Sequence, residues 1–276
     1  MSVAISVIIP YFNSSRTILE TVKSLEKQSF KAFEVIIVDD GSTMEEAAQL
    51  SLLESNKLNY LMLKQENKGA AEARNYGAQY AKGAYLIFLD SDDIIAPTYL
   101  EKCFNILEGN KNIKLVYSLA RRFDASDEPW QLGDFHEFKD ILHYNMIPII
   151  AMHRKNDFFS VGQFDKNLSF FEDWDLWIRL LKDGGRVFRI NEVLFYYRMR
   201  KSEDSLTNFK DKNNFINIIN KNYIYNKYID DYNLYYGAPI DWLHNNILLK
   251  NKFYNAWNKK IERNFKNILK KLKIRR

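Results

Sequence analysis

Cysteine is almost absent from this 276-residue chain: there is one, Cys103. An internal disulfide is therefore excluded. The thiol lies on the apolar face Leu100, Cys103, Phe104, Leu107, which assigns it to the core rather than to reactive chemistry. No apolar run reaches the roughly 20 residues a spanning helix needs. A strand pattern begins by residue 5, so no signal peptide is expected and the expected location is cytoplasmic. Internal repeats and low-complexity linkers are missing. The first loop, Pro10-Tyr11-Phe12-Asn13, has no glycine, and neither G-x-G-x-x-G nor G-x-x-x-x-G-K-[ST] occurs. A hydride-transferring dehydrogenase and a P-loop nucleotidase are thereby disfavoured. Histidine is scarce as well: His136, His143, His153 and His244 show no metal-ligand spacing, and His153, beside Arg154, is retained only as a candidate for an acceptor cleft.

Apolar residues are abundant. With 46% hydrophobic and 15% aromatic side chains, the chain can bury a sizeable core as one large domain or two intimate halves. The net charge of +5 is uneven. Residues 257–276 hold nine Lys/Arg and one Glu, a net of +8, which leaves −3 for the remainder. Without a basic stripe on the body, nucleic acid is not an expected partner. The tail itself predicts a basic amphipathic helix with Ile261, Phe265, Ile268, Leu269 and Leu272 on one face. Such a helix either docks on protein, including a second subunit, or meets an anionic membrane surface.

The organising stretch is Tyr85-Leu86-Ile87-Phe88-Leu89-Asp90-Ser91-Asp92-Asp93. A buried strand runs directly into three carboxylates within four positions, where each charge raises the cost of ionising the next. A hard divalent cation removes that cost. Mg2+ sites typically combine one or two carboxylates with substrate phosphates, and open α/β sheets bind ligands beyond the carboxyl ends of their strands. The competing account is a solvated acidic turn before a helix near Pro97.

Upstream, residues 5–9 predict a buried strand. A helix follows, with Ser14 or Ser15 as N-cap and Ile18, Leu19, Val22 and Leu25 inward. A second strand, 33–38, ends in Asp39-Asp40-Gly41-Ser42. This spacing implies a βαβ unit and a parallel sheet. A third strand is expected over 58–63. Asn67-Lys68-Gly69 then opens a helix of small residues that carries Arg74 and packs closely on its neighbours, with Gly83 as its stop.

Four pieces in this order carry a resemblance: Ser6-Val7-Ile8-Ile9-Pro10-Tyr11-Phe12-Asn13, Val38-Asp39-Asp40-Gly41-Ser42, Asn67-Lys68-Gly69 through Ala73-Arg74-Asn75, and Leu89-Asp90-Ser91-Asp92-Asp93. Together they resemble the family 2 glycosyltransferases of the GT-A fold, over about residues 3–205. The resemblance implies an α/β, Rossmann-like, mostly parallel sheet flanked by helices, with a C-terminal helical extension. Residues 1–100 would form the nucleotide-sugar half, 101–205 the acceptor and catalytic half, and 206–276 the extension. It implies that Pro10 and Phe12 line the nucleoside pocket, that Asp40 bonds N3 of uracil, and that Arg74 lies near base and phosphates. Asp92 and Asp93 match the ribose and metal positions of the family's DxD motif, and Asp90 would support a Mn2+ or Mg2+ ion through water.

In the second half, a helix is expected over 94–108 and a strand over 115–119, and 121–145 is polar, aromatic and assigned to the acceptor side. Helical spacing from Trp174 through Trp177, Ile178 and Leu181 sets Glu172-Asp173 at a helix N-terminus, where an acid also serves as a cap. Sugar transfer needs a base within reach of the attacking hydroxyl. The resemblance places the family's Glu-Asp motif here, with Asp173 as base and Glu172 as acceptor-orienting partner. Residues 187–190 and 193–199 predict paired strands, and 197–205 resembles the family's lid segment. Where many family members carry a metal- or diphosphate-contacting His, this chain has Arg200, which can bind phosphate but no metal.

The implied activity is metal-dependent, inverting transfer from a nucleotide-sugar, a UDP-sugar first, to a glycan, lipid-linked or protein-linked acceptor. Two other readings stand beside it. A sugar nucleotidyltransferase would want a Gly-rich basic first loop. A non-catalytic glycan-binding relative would not need acids at 40, 92, 93 and 173.

Overall fold

The computed structural model describes residues 2–50, 53, 58, 60–200, 212–237 and 259. The chain divides into two compact units, 1–222 and 223–276. In the first, strand β1 (Ile5–Tyr11), helix α1 (Ser15–Glu26) and strand β2 (Phe33–Asp40) form the expected βαβ unit. Helix α2 (Met44–Leu50), β3 (Tyr60–Gln65), α3 (Ala70–Gln79) and β4 (Tyr85–Phe88) follow. These four strands are parallel, in the order β3-β2-β1-β4. The direction of winding reverses at β1, so the gap between the carboxyl ends of β1 and β4 is a topological switch point. The two inner strands are mostly apolar, as buried parallel strands are: residues 5–9 and 85–89 are all buried, with Ser6 the polar member.

The small residues of α3 allow the close packing the sequence predicts. A Cβ on Gly77 would lie 2.6 Å from Cγ2 of Ile8 and 3.0 Å from Cγ2 of Val38. The predicted stop is not where the helix ends, however. It closes at Gln79, and Gly83 instead allows the chain to approach the backbone of Ile5 and Ser6, where a Cβ would come within 2.6 Å. On α1, Ser14 occupies the N-cap position, but its hydroxyl donates to the carbonyl of Phe12, and Glu46 accepts the Ser15 N–H at 3.0 Å. Leu19 is 39% exposed, while Thr21 is buried in its place. The helical phase carries position 21 inward, and 19 falls at the rim of the apolar stripe.

After β4 the sheet becomes mixed. The elements are β5 (Ile94–Ile95), α4 (Tyr99–Gly109), β6 (Ile113–Asp124), β7 (Pro129–Trp130), α5 (Phe138–His143), β8 (Met152–Arg154), α6 (Lys155–Ser160), α7 (Glu172–Leu181) and β9 (Arg186–Met199). Their order continues β4-β8-β6-β9-β5, with β7 beside β6. The 94–108 region is thus a short strand and a later helix, since Pro97 separates them. The pairing expected between 187–190 and 193–199 is not formed. Both stretches belong to one strand, β9, which lies parallel to β6 over its whole length and antiparallel to β5. The register slips between Ser118 and Leu119 absorb Asn191 and Glu192 as a bulge. With β6 and β5 supplying partners on both sides, β9 has no need to fold back on itself.

His153 is fully buried. Its ring packs against Phe88, Phe158 and Trp177, and burial pushes its pKa down to about 4. It is a core histidine and not an acceptor-cleft residue. Cys103 is buried, as expected. Helix α8 (Lys212–Lys227) ends the first unit and enters the second, which also contains α9 (Ile229–Tyr236). Apart from residue 259, the basic tail lies outside the described residues, as does the lid-like segment beyond Arg200. No helix among the described residues is long and apolar enough to cross a membrane.

Candidate active site

Three loops meet beyond the switch point. The first follows β2. There Asp39 accepts the Ser42 N–H at 2.9 Å and closes the turn, with Gly41 at φ +76°. The buried Asp40 carboxylate takes three donors: Gln65 Nε2 at 2.7 Å, Lys68 N–H at 2.8 Å and Gly69 N–H at 2.8 Å. A carboxylate has about four acceptor sites, so one remains for a further donor. Gly41, Lys64, Gln65, Glu66 and Asn67 line an open, shallow pocket of about 540 Å3 beside it. Of the residues predicted around a nucleoside, Phe12 is 47% exposed at the end of β1, while Pro10 is half-buried within the strand.

The second loop is the acidic turn after β4. Asp93 is buried; its Oδ1 accepts the Arg198 N–H at 2.9 Å, and its Oδ2 is buried without a hydrogen-bond partner. Desolvation, then Asp92 and Asp90, push the Asp93 pKa well above the carboxylate range. Burial and Asp90 also raise that of Asp92, while Arg200 pulls it back. Arg200 directs Nε and Nη2 to Asp92 Oδ2, at 3.0 and 2.7 Å. Arg198 donates from Nε to the Asp92 carbonyl at 2.8 Å, pairs with Glu20 and Asp124, and lies over the Phe123 ring.

Among the described residues no group of three or more acidic, His or Cys side chains is arranged as a complete metal cage. The turn nonetheless fits a hard cation. It offers carboxylate oxygens, one of them buried and unpartnered, and Mg2+-type sites draw their remaining ligands from substrate phosphates and water.

The third piece is the head of α7. Phe171, just before it, holds a left-handed conformation at φ +65°, which for a non-glycine residue stores strain of about 1 kcal/mol or more. Asp173 is half-buried. Its Oδ1 accepts its neighbour's N–H, from Trp174, at 2.8 Å, and its Oδ2 accepts Asn145 Nδ2 at 2.8 Å. Desolvation, then Glu172, raise its pKa to about 7, against the opposing pull of Asn145, Trp174 and Arg74.

Arg74 joins the second and third pieces. Its Nη2 donates to Asp90 Oδ1 at 2.6 Å and its Nη1 to Glu172 Oε1 at 2.7 Å, and its side chain is 5% exposed. The guanidinium therefore faces two carboxylates rather than an open nucleotide pocket; a buried cation requires such partners. Of the predicted residues, Arg74 links Asp90 to Glu172, with Asp173 next to Glu172, while Arg200 pairs with Asp92 and Arg198 ties Asp92 to Asp93. Asn145 is the residue that sequence reasoning missed, because a lone asparagine between Tyr144 and Met146 belongs to no motif.

Comparison with known proteins places this geometry among relatives. Residues 6–170 match the model of "Glycosyl transferase family 2". An uncharacterized glycosyltransferase of Haemophilus influenzae is 30% identical over 213 residues, spanning 74% of this chain and 71% of that protein. The Escherichia coli UDP-Glc:alpha-D-GlcNAc-diphosphoundecaprenol beta-1,3-glucosyltransferase WfaP is 31% identical over 216 residues, 75% of this chain and 82% of its own. Among solved structures, S. aureus TarS 1-349 in complex with UDP-GlcNAc superposes with a TM-score of 0.64 at 21% identity, over 84% of this chain and 73% of that one. The architecture is the same as in that structure.

Proposed function

The chain belongs to glycosyl transferase family 2, and on that premise we propose that it is an inverting enzyme that moves a sugar from a UDP-sugar to a glycan, lipid-linked or protein-linked acceptor. The observation that carries the reading is Asp173: a carboxylate with a pKa raised to about 7, joined through Glu172 and Arg74 to an acidic turn. At neutral pH it is poised to take and return a proton. In the proposed reaction Asp173 removes the proton of the acceptor hydroxyl. The hydroxyl oxygen bonds to the anomeric carbon from the face opposite the diphosphate. The bond from that carbon to the diphosphate oxygen breaks, and nucleoside diphosphate leaves with the electron pair. One displacement gives one inversion.

Asp92 and Asp93 would hold Mn2+ or Mg2+, with Asp90 supporting. When bound, the ion neutralises charge on the leaving diphosphate. Arg200, which pairs with Asp92 in the structure, is assigned to the diphosphate. Asp40, with one acceptor site left, is assigned to the base, flanked by Phe12 and Pro10. Glu172 orients the acceptor. In this reading residues 1–100 serve the donor and 101–205 the acceptor, with 206–276 as an extension. WfaP, by its name, acts on a diphosphoundecaprenol acceptor; a lipid-linked acceptor here would suit cytoplasmic work at the inner face of the membrane, with the basic tail as contact.

A donor screen tests the proposal. The protein is incubated with UDP-, GDP- and TDP-sugars, with Mn2+ or with EDTA, and release of nucleoside diphosphate is followed. Metal-dependent release of UDP from one sugar is the expected result. Absence of both release and nucleotide-induced thermal shift across the panel would overturn it.

A further inference from the structure

Asn145 lies in the segment between α5 and β8, held from both sides by the helix it serves. Trp174 donates its indole N–H to the carbonyl of Ile141, and Trp177 donates its own to that of Ile147 at 3.0 Å. Both indoles are buried on α7. The segment between those two carbonyls is thereby pinned to the same helix that carries Asp173. Within it, Asn145 Oδ1 accepts the Ile147 N–H at 3.3 Å, which orients the amide so that Nδ2 faces Asp173 Oδ2 at 2.8 Å. An amide in this orientation is a donor toward the carboxylate.

We propose that Asn145 is a positioning residue for the base: it fixes the plane of the Asp173 carboxylate and stabilises its ionised form. This rests on the assignment of Asp173 as base. The groups around Asp173 set opposing demands. Glu172, its neighbour on α7, and burial disfavour the charge; Arg74, from α3, and the Trp174 N–H favour it. The Asn145 donor adds to the second set, and it is neutral. A cation there would form an ion pair and depress the basicity a proton acceptor needs. An amide favours the ionised carboxylate with a smaller loss of basicity. With Trp174 N–H on one oxygen and Asn145 on the other, the remaining lone pairs are held in a defined direction, as proton abstraction requires.

The test is a direct titration of the full-length protein labelled with 13C at the aspartate carboxyl carbon, in which the Asp173 signal is identified by its loss in Asp173→Asn. In Asn145→Ala the midpoint should rise by about one pH unit or more, the size expected on losing a hydrogen bond to a charged group. The acid limb of UDP release from UDP-glucose or UDP-N-acetylglucosamine should move with it, with the donor KM changed less than about two-fold. Asn145→Ser, which retains a small polar side chain, is the second variant should alanine prevent folding. It should shift the midpoint in the same direction by less. An unmoved midpoint in whichever variant folds would overturn the proposal. So would a fall in turnover that is equal at every pH, as a purely structural role predicts. Turnover retained in Asp173→Asn would sink the base assignment instead, and the titration distinguishes the two failures.

Discussion

Two acidic regions face each other across the site, and they are neutralised differently. The turn after β4 gathers Asp90, Asp92 and Asp93 and meets them with guanidinium groups: Arg74 on Asp90 and Arg200 on Asp92, with Arg198 bracing the backbone. The head of α7 meets Asp173 with neutral donors, an amide and a backbone N–H. Charge set against charge suits a region prepared to exchange one cation for another. A carboxylate on neutral donors, with its pKa about 7, suits a region that exchanges a proton. In the proposed reaction this contrast would divide the labour between leaving group and nucleophile.

The contrast can be broken most severely at its neutral pole. Asp173→Asn should lower turnover about 10^2- to 10^4-fold, the usual worth of a general base, with nucleotide affinity by calorimetry kept. Next comes the link between the poles. Arg74→Ala leaves Asp90 and Glu172 without their shared cation and should cost about 3 kcal/mol, seen as a lower midpoint of urea unfolding. The stability effect of Asp173→Asn runs the other way. A carboxyl whose pKa is raised on folding binds a proton more tightly in the native state. Stability therefore falls as pH rises from about 4 toward about 7, and stays reduced above. Removing the group should raise stability at pH 8 by about 2 kcal/mol after allowance for its partial exposure, with little change at pH 4. At the charged pole the smallest effect is expected from Arg200→Gln. Freeing Asp92 from its guanidinium should tighten Mn2+ binding in the absence of nucleotide about three- to ten-fold by calorimetry, as for a partly exposed ion pair.

Much of the charged pole was legible in the sequence. An apolar run that stops at three aspartates announces both a buried strand and the site at its end, because both facts are local. The parallel half of the sheet was legible for the same reason: β1, β2 and β4 are largely apolar runs, interrupted only by Ser6 and Glu34 before their polar ends. What escaped depended on distant partners. Arg74 meets Glu172 across 98 positions of chain, and Asn145 meets Asp173 across 28. No spacing rule reaches that far. The two halves of β9 looked like a hairpin because Asn191-Glu192 resembles a turn, and only the presence of β6 alongside makes it a bulge. Leu19 and His153 went astray on a smaller scale, one by the phase of a helix, the other because a polar ring can be buried among aromatic neighbours.

Arg198 meets Asp93 from 105 positions further along the chain, which gives the site an order of assembly. A ribosome that has just finished α7 has made every carboxylate discussed above, yet neither Arg198 nor Arg200. At that length the acidic turn lacks its clamp, and β6 lacks its β9 neighbour, leaving a sheet edge open to wrong partners. Completion of β9 and the residue after it therefore gives β6 its neighbour and brings Arg198 and Arg200 to the clustered charges. A chain cut at residue 185 should bind holdase chaperones and resist folding, whereas one cut at residue 222 should escape them. Biosynthesis would thus hold the acidic turn incomplete until the first unit's sheet is sealed.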